Sequence, residues 1–276
     1  REAFHVLVPQ RSLDELFSRQ ALQQLRQAGG QVELSAQVKQ IVHAECGSSA
    51  GSPKHEAIEV VTSSGAYRAN ACVVAVPWHA LGRLAANSNV SGLAEIAQQA
   101  AGLASSPITG IHTWWDRPWL QLPNAAIVGR LCQWVFAAPE GLDEQNHEAD
   151  QAGRGHYYQI VISASHHLPS GDTDDLQRQV VADLAELFPE SRNARLLRFK
   201  AVTDPHAVFS IGVGTMGLRP FTNPLGPHVL LAGDWTRTGW PATMEGAVLS
   251  GFRAAEAFLA DGDSPVSIVA RPLEGM

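Results

Sequence analysis

The chain has 276 residues, 45% of them hydrophobic and 17% charged, enough to bury the core of one large unit or two intertwined ones and too apolar for wholesale disorder. Its formal net charge of -7 excludes a general nucleic-acid partner, which needs a basic face against the phosphates. No apolar run approaches a membrane span, and Cys46, Cys72 and Cys132 are too scattered for a disulfide framework or a metal site, which fits a reducing, cytoplasmic compartment.

The sequence opens at Arg1, on an apolar run, with no signal-peptide pattern and no βαβ unit. We therefore expect a C-terminal piece of a longer protein. Ser12-Leu-Asp-Glu15 has the capping-box form, and predicts a helix with Leu13, Leu16, Leu22 and Leu25 near one face, ending at Gly29-Gly30. Residues 32–38 alternate like a strand that continues toward Ile41-Val42. A polar loop, 47–55, leads to a strand at 58–61, a turn at Ser64-Gly65, and the run 67–77. The continuously apolar end of that run, 72–76, predicts a strand covered on both faces. Residues 79–103 are Ala-rich and mostly helical. Strands are expected at 107–115, 126–137 and 156–164, with a polar loop over 140–155. An amphipathic helix at 172–188 is stopped by Pro189. A strand at 196–203, Gly- and Pro-rich coil at 212–227, a buried strand at 228–232 and a helix at 245–259 follow, then a loose tail.

The most informative stretch is 230–251, Leu-Leu-Ala-Gly-Asp-Trp-Thr-Arg-Thr-Gly-Trp-Pro-Ala-Thr-Met-Glu-Gly-Ala-Val-Leu-Ser-Gly. A buried strand ends at Gly233-Asp234, a loop follows, and a helix begins whose first turns carry Gly246, Ala247, Ser250 and Gly251. Small residues there allow a backbone to come close to a ligand or a strand. A helix N-terminus offers free amides and partial positive charge, which suits the negative edge of a reduced flavin. Asp234, at a strand end, suits the hydroxyls of a ribityl chain.

This string resembles the C-terminal FAD motif of the flavin amine oxidase and phytoene desaturase superfamily, in the form found in hydroxysqualene dehydroxylases, the squalene-associated FAD-dependent desaturases. Shorter matches occur in the same order along the chain: 7–13, 133–136, 161–164 and 187–189. The resemblance implies an α/β (α+β) fold, an incomplete FAD-binding Rossmann-like domain of the glutathione-reductase type with an inserted mixed-sheet substrate domain. It implies residues 10–83 and 225–262 for the FAD part and 84–224 for the substrate part, which 1–9 could join, with 263–276 as tail. Carried over by position, Gly233 and Asp234 hold the ribityl chain. Trp240, Met244 and Ala247 line the isoalloxazine, with the amides from Met244 through Glu245 and Gly246 to Ala247 facing its N1 and O2. Val38 meets the adenine through its backbone, and Val76-Pro77 lie under the cofactor.

The family's Gly-rich phosphate loop is missing. Gly212-Val-Gly-Thr-Met-Gly217 has its spacing, but Pro220 and Pro224 forbid the helix that must follow. This stretch of sequence alone is therefore expected to bind FAD weakly or not at all, and to be inactive by itself.

On the substrate side, Trp114, Trp115, Trp119 and Trp134, with Phe136, Tyr157 and Tyr158, could line a slot for an isoprenoid or anchor a sheet core. Trp114, Trp134 and Phe136 are taken as the lining set. His112, His166 and His167 are read as surface or loop histidines, the last two pointing to opposite faces if on a strand. Asn89-Val-Ser91 has the form of a glycosylation acceptor without other signs of secretion. The resemblance implies reductive dehydroxylation of hydroxysqualene to squalene. A carotenoid desaturase uses the same geometry in the oxidative direction. Amine oxidases carry an aromatic residue where Thr243 stands, which counts against that chemistry, and a degenerate relative without FAD is the non-enzymatic alternative. An oily substrate implies peripheral contact with a membrane surface.

Overall fold

The computed structural model describes residues 8, 9, 11, 13–45, 56–138, 155–168 and 173–260. The capping hydroxyl of Ser12, Cys46, the loop at 47–55, nearly all of 140–155 and the tail lie outside them.

In chain order, a π-helical turn, Asp14–Arg19, runs into α1 (Gln20–Gln27). Then come β1 (Val38–Glu45), β2 (Glu56–Thr62), β3 (Ala66–Ala69), β4 (Cys72–Val74), α2 (Trp78–Ala86) and α3 (Leu93–Ala101). The middle of the chain forms β5 (Ser105–Trp115), β6 (Asn124–Ala126), β7 (Trp134–Ala137), β8 (His156–Ser163), α4 (Thr173–Leu187) and β9 (Leu196–Phe209). A four-residue α5 (Thr215–Leu218), β10 (Val229–Leu231) and α6 (Met244–Leu259) complete it. The mixed α/β class expected from the sequence is the class observed.

Two units emerge, one of residues 1–32 and 106–207, the other of 33–105 and 208–276. In the second, β1, β2 and β3 form an antiparallel sheet and β10 pairs in parallel with β4. Parallel pairing needs a crossover, and here it is most of the chain. The hydrophobic periods explain the packing. Trp78, Leu81, Leu84 and Ala85 of α2 and Leu93, Ala97 and Ala100 of α3 fall at helical spacing. They close on Ile41, Ile58, Phe209, Val229, Leu231 and Trp235. Asn89, the residue of the glycosylation-like triplet, accepts a hydrogen bond from the His43 amide at 2.8 Å and pins β1.

The other unit is built on the sheet β6-β7-β8-β5-β9. From Ser106 on, β5 alternates between half-buried and buried positions, the period of two of a strand with unlike faces. Leu176, Val180 and Leu184 of α4, at i, i+4 and i+8, pack with Ile111, Trp115, Val135, Tyr158, Ile160 and Ile162 of the covered face. Each such side chain contributes about 1.5–3 kcal/mol by leaving water.

Several elements differ from expectation. Strand pairing begins at Val38, not Val32: Leu34 is exposed, Ser35 has φ 58°, and the β1–β2 register shifts between Val38 and Gln40. A sequence alternation becomes a strand only where a neighbour accepts its hydrogen bonds. The segment 126–137 is not one strand: it runs from the last residue of β6 through a connection over 127–133, with Gly129 at φ 73°, into β7. β9 runs on to Phe209, six residues beyond the expected end. The Leu-rich face at the start of the chain buries nothing within the described helix; Leu13 is 52% exposed.

Candidate functional site

The corner between β10 and α6 is built from the backbone outward. β10 is fully buried, and the Ala232 amide continues its ladder to the Val74 carbonyl at 3.0 Å. The chain then turns at Gly233, whose φ of 138° is a conformation that suits glycine. A side chain at this position would meet Trp235 Nε1 at 2.4 Å. Trp235 is buried and donates from that nitrogen to the Val76 carbonyl at 3.0 Å, so the loop after β10 is tied to the end of β4. Ser250 of α6 accepts from the Gly233 amide at 2.7 Å, and Thr236 folds its hydroxyl back to the Gly233 carbonyl at 2.8 Å. Ser250 was read as a small residue for close approach; it is a hydrogen-bonding tie between helix and loop.

The helix starts one residue earlier than expected because Thr243 caps it. Its Oγ1 accepts from the Gly246 amide at 3.1 Å, as Thr does at N-caps. This corrects one expectation. Of the amides from Met244 to Ala247, Gly246 is engaged by the cap and Ala247 bonds the Thr243 carbonyl at 3.1 Å. Helix geometry leaves those of Met244 and Glu245 as the outward donors. Gly246 is buried against its own loop: a Cβ there would meet the Pro241 carbonyl oxygen at 3.1 Å. Its smallness serves loop packing rather than a ligand.

Around this frame lies an open apolar rim. Trp240 is 48% exposed, Met244 60% and Val248 47%, and Ala247 and Glu245 are exposed beside them. Asp234 is half-buried, and burial pushes its carboxyl above the usual range, with its neighbour's backbone amide and the Arg219 guanidinium pulling the other way. Val38 and Val76 line one open groove of about 780 Å³, together with Gln37, Lys39, Val61 and Arg83. Pro77 is exposed and caps α2. The structure thus brings Val38 and Val76 to one groove, and Trp235 ties Val76 to the loop that, in the same unit, carries Gly233 and Asp234 and leads to Trp240, Met244, Glu245, Gly246 and Ala247. The donor set fits a flavin: exposed apolar side chains for a flat ring, two outward amides, and a partly desolvated carboxylate for hydroxyls.

The phosphate-loop spacing at 212–217 ends in the four-residue α5, with Gly214 at φ 87°. A helix of one turn has no macrodipole to offer an anion.

In the other unit, the aromatic residues separate by strand parity. Trp115, Trp119 and Tyr158 belong to the covered core, the Tyr158 hydroxyl accepting from the Trp119 amide at 3.1 Å. The alternate positions Trp114, Trp134, Phe136 and Tyr157 are half-buried. Trp114 stands opposite Tyr157 on β8, Phe136 opposite Gln159, and Trp134 opposite Val161, so they share the face of the sheet turned away from α4. Trp134 and Phe136 stack with centroids 5.5 Å apart. The exposed Arg198 lies over the Trp114 ring at 4.9 Å. His112 is neither a surface nor a loop histidine. It is half-buried on β5, its Nδ1 is 2.6 Å from the Tyr157 hydroxyl, and burial, with Lys200 nearby, lowers its pKa. His166 and His167 sit in a 3-10 turn, not on a strand.

Sequence reasoning missed two residues of the corner. Trp235 had the signal of an aromatic beside a strand end. Arg219, between a Leu and a Pro, had none, yet it is 2% exposed.

Over 254 residues the chain is 27% identical to a 15-cis-phytoene desaturase of an Oncidium hybrid cultivar, covering 89% of this chain and 41% of that protein. It is 30% identical over 136 residues to hydroxysqualene dehydroxylase of Rhodopseudomonas palustris, covering 49% of this chain and 28% of that one. The fold is shared with cyclohexylamine oxidase of Brevibacterium oxydans at a TM-score of 0.54 and 14% identity, over 84% of this chain and 49% of that one. The chain therefore spans half or less of the length of these relatives. A family model for flavin containing amine oxidoreductases matches residues 11–259. The chain belongs to that family, whose cofactor is FAD.

Proposed function

We propose that the protein carrying this chain is an FAD-dependent oxidoreductase of squalene-type isoprenoids, which removes the allylic hydroxyl of hydroxysqualene reductively and releases squalene. The observation that carries the flavin part is the β10–α6 corner, where a buried, cross-tied loop presents a half-buried Asp234 beside an exposed rim of Trp240 and Met244. Asp234 would hold ribityl hydroxyls, Trp240 and Met244 would cover the ring system, and the Met244 and Glu245 amides would face its pyrimidine edge. Val38 and Val76, with Pro77, would border the adenosine end. When bound in its reduced form, FAD supplies hydride. Such a reaction would need the protein to provide an acid for the departing hydroxyl and a water-excluding apolar slot.

The open sheet face supports the isoprenoid part: Trp114, Trp134 and Phe136 offer flat apolar surface to a branched hydrocarbon. The 30% identity with a hydroxysqualene dehydroxylase favours this substrate. The match over 89% of the chain to a phytoene desaturase keeps the desaturase reading as the second one. Thr243 stands against amine oxidation, being engaged as a helix cap where an aromatic cage would need a ring. No helix among the described residues is long and apolar enough to cross a membrane; a peripheral contact, through which an oily substrate is collected, is part of the proposal.

The test is direct. The full-length gene product is purified, inspected for flavin absorbance, and incubated with hydroxysqualene, phytoene and a primary amine under reducing and oxidising conditions. Squalene formed from hydroxysqualene under reduction supports the proposal. Turnover of phytoene alone replaces it with the desaturase, and colourless protein that stays colourless with added FAD removes the flavin chemistry.

A further inference from the structure

Arg219 is a buried cation whose hydrogen bonds among the described residues go to backbone and hydroxyl oxygens and a sulfur. Its Nε donates to the Trp235 carbonyl at 3.3 Å. Its Nη2 donates to the Asp234 carbonyl at 2.9 Å, to the Thr236 carbonyl, and to Thr238 Oγ1 at 3.1 Å. Nη1 approaches Met216 Sδ at 3.4 Å, and the guanidinium carbon lies 4.9 Å from the centre of the Phe209 ring. One side chain thus binds four successive or near-successive positions of the loop that carries Asp234. A buried charge is costly to desolvate, and a core clamp of neutral groups would hold a loop at lower cost. The planar fork of Arg, however, meets several acceptors at fixed angles, and its charge acts on the Asp234 carboxylate.

We infer that Arg219 is the positioning residue of the flavin corner: it pre-forms the Asp234–Thr238 loop, from which the Asp234 side chain would reach the ribityl hydroxyls. This rests on the flavin reading of that corner. The hydrogen bonds fix the carbonyls of residues 234, 235 and 236, so the Asp234 side chain leaves the backbone in one direction. The charge opposes the burial that raises the Asp234 carboxyl. Charged groups near this loop include Arg237, whose guanidinium stacks on Phe221 and donates to the Met216 carbonyl, Arg253, which donates to the Arg237 carbonyl, and Glu245 in the first turn of α6.

The experiment uses the full-length gene product with Arg219→Met and Arg219→Lys, reading FAD dissociation by flavin fluorescence across pH, and folding by far-UV circular dichroism. Arg219→Met is expected to weaken FAD binding about tenfold or more, as charge-assisted hydrogen bonds are lost. It should also move the acid-side loss of affinity to higher pH, because Asp234 then protonates more readily. Arg219→Lys keeps the charge but not the fork, so its pH profile stays near that of the parent while affinity falls. A purely structural role moves affinity without moving the pH profile of Arg219→Met relative to Arg219→Lys. Folded variants that keep both the affinity and the pH profile of the parent overturn the inference. If Arg219→Met does not fold, Arg219→Lys combined with Thr238→Val decides: unchanged FAD affinity in that folded variant also overturns it. A parent protein that binds no FAD sinks the flavin reading instead.

Discussion

Two neighbouring stretches of the motif behave in opposite ways. The loop Gly233–Thr238 is closed on itself: Trp235, Thr236 and Thr238 are buried, and its polar groups bond Val76, Ser250 and Arg219. A few residues on, Trp240, Met244 and Val248 stand in the open. Both stretches contain a Trp; the family resemblance singles out Trp240, and the structure alone shows what Trp235 does. The lesson is a division of labour: one indole holds the frame, and the other is left for whatever the frame presents.

That contrast can be broken most sharply by truncating each indole. Trp235→Ala removes a buried ring and its hydrogen bond to Val76, and should cost about 3–5 kcal/mol of stability in denaturant titration. Trp240→Ala should change stability by no more than about 0.5 kcal/mol while weakening FAD binding by the full-length product. Equal losses of stability would erase the division between frame and rim.

A smaller effect tests where the frame ends. Thr243→Ala removes the helix cap and should cost about 1 kcal/mol, seen as a lowered thermal midpoint. The freed Gly246 amide then faces outward with those of Met244 and Glu245. If stability is unchanged, the cap contributes nothing and the helix start belongs to the rim.

The smallest effect concerns Asp234, which sits on the border of the two. Its folded-state pKa is raised by burial, so the folded chain holds that proton more tightly than the unfolded chain. The stability this provides is fully present below the unfolded carboxylate value and is lost as pH rises through the folded one. Relative to the parent, Asp234→Asn should therefore gain stability as pH rises over that window, measured as the difference between the two denaturation midpoints. A difference that stays flat with pH would mean the carboxylate is as well solvated as a free one.

How much of this could be read beforehand varies by residue. The α4 stripe of Leu176, Val180 and Leu184 and the β5 alternation are visible as periods of the chain, because each residue's role there depends on its own few neighbours. The 233–247 string was visible as a strand, a loop and a helix start around an acidic residue. The 32–38 alternation misled, since Leu34 and its neighbours have the right pattern but no partner strand to complete it. The aromatic residues were recognised as a group and could not be divided. Trp114 and Trp115 are adjacent in sequence, and only the register of β5 against β8 sends one to the covered core and the other to the open face.

The sequence by itself determined the class of the fold and the family, because these are carried by local patterns and by a contiguous motif. Tertiary structure alone decided that Arg219 clamps residues 15 to 19 positions away, that Trp235 ties two strand ends 159 positions apart, and that His112 meets Tyr157. Such pairings follow from which segments come to lie side by side, and that is settled by the packing of the whole unit rather than by the residues near each partner.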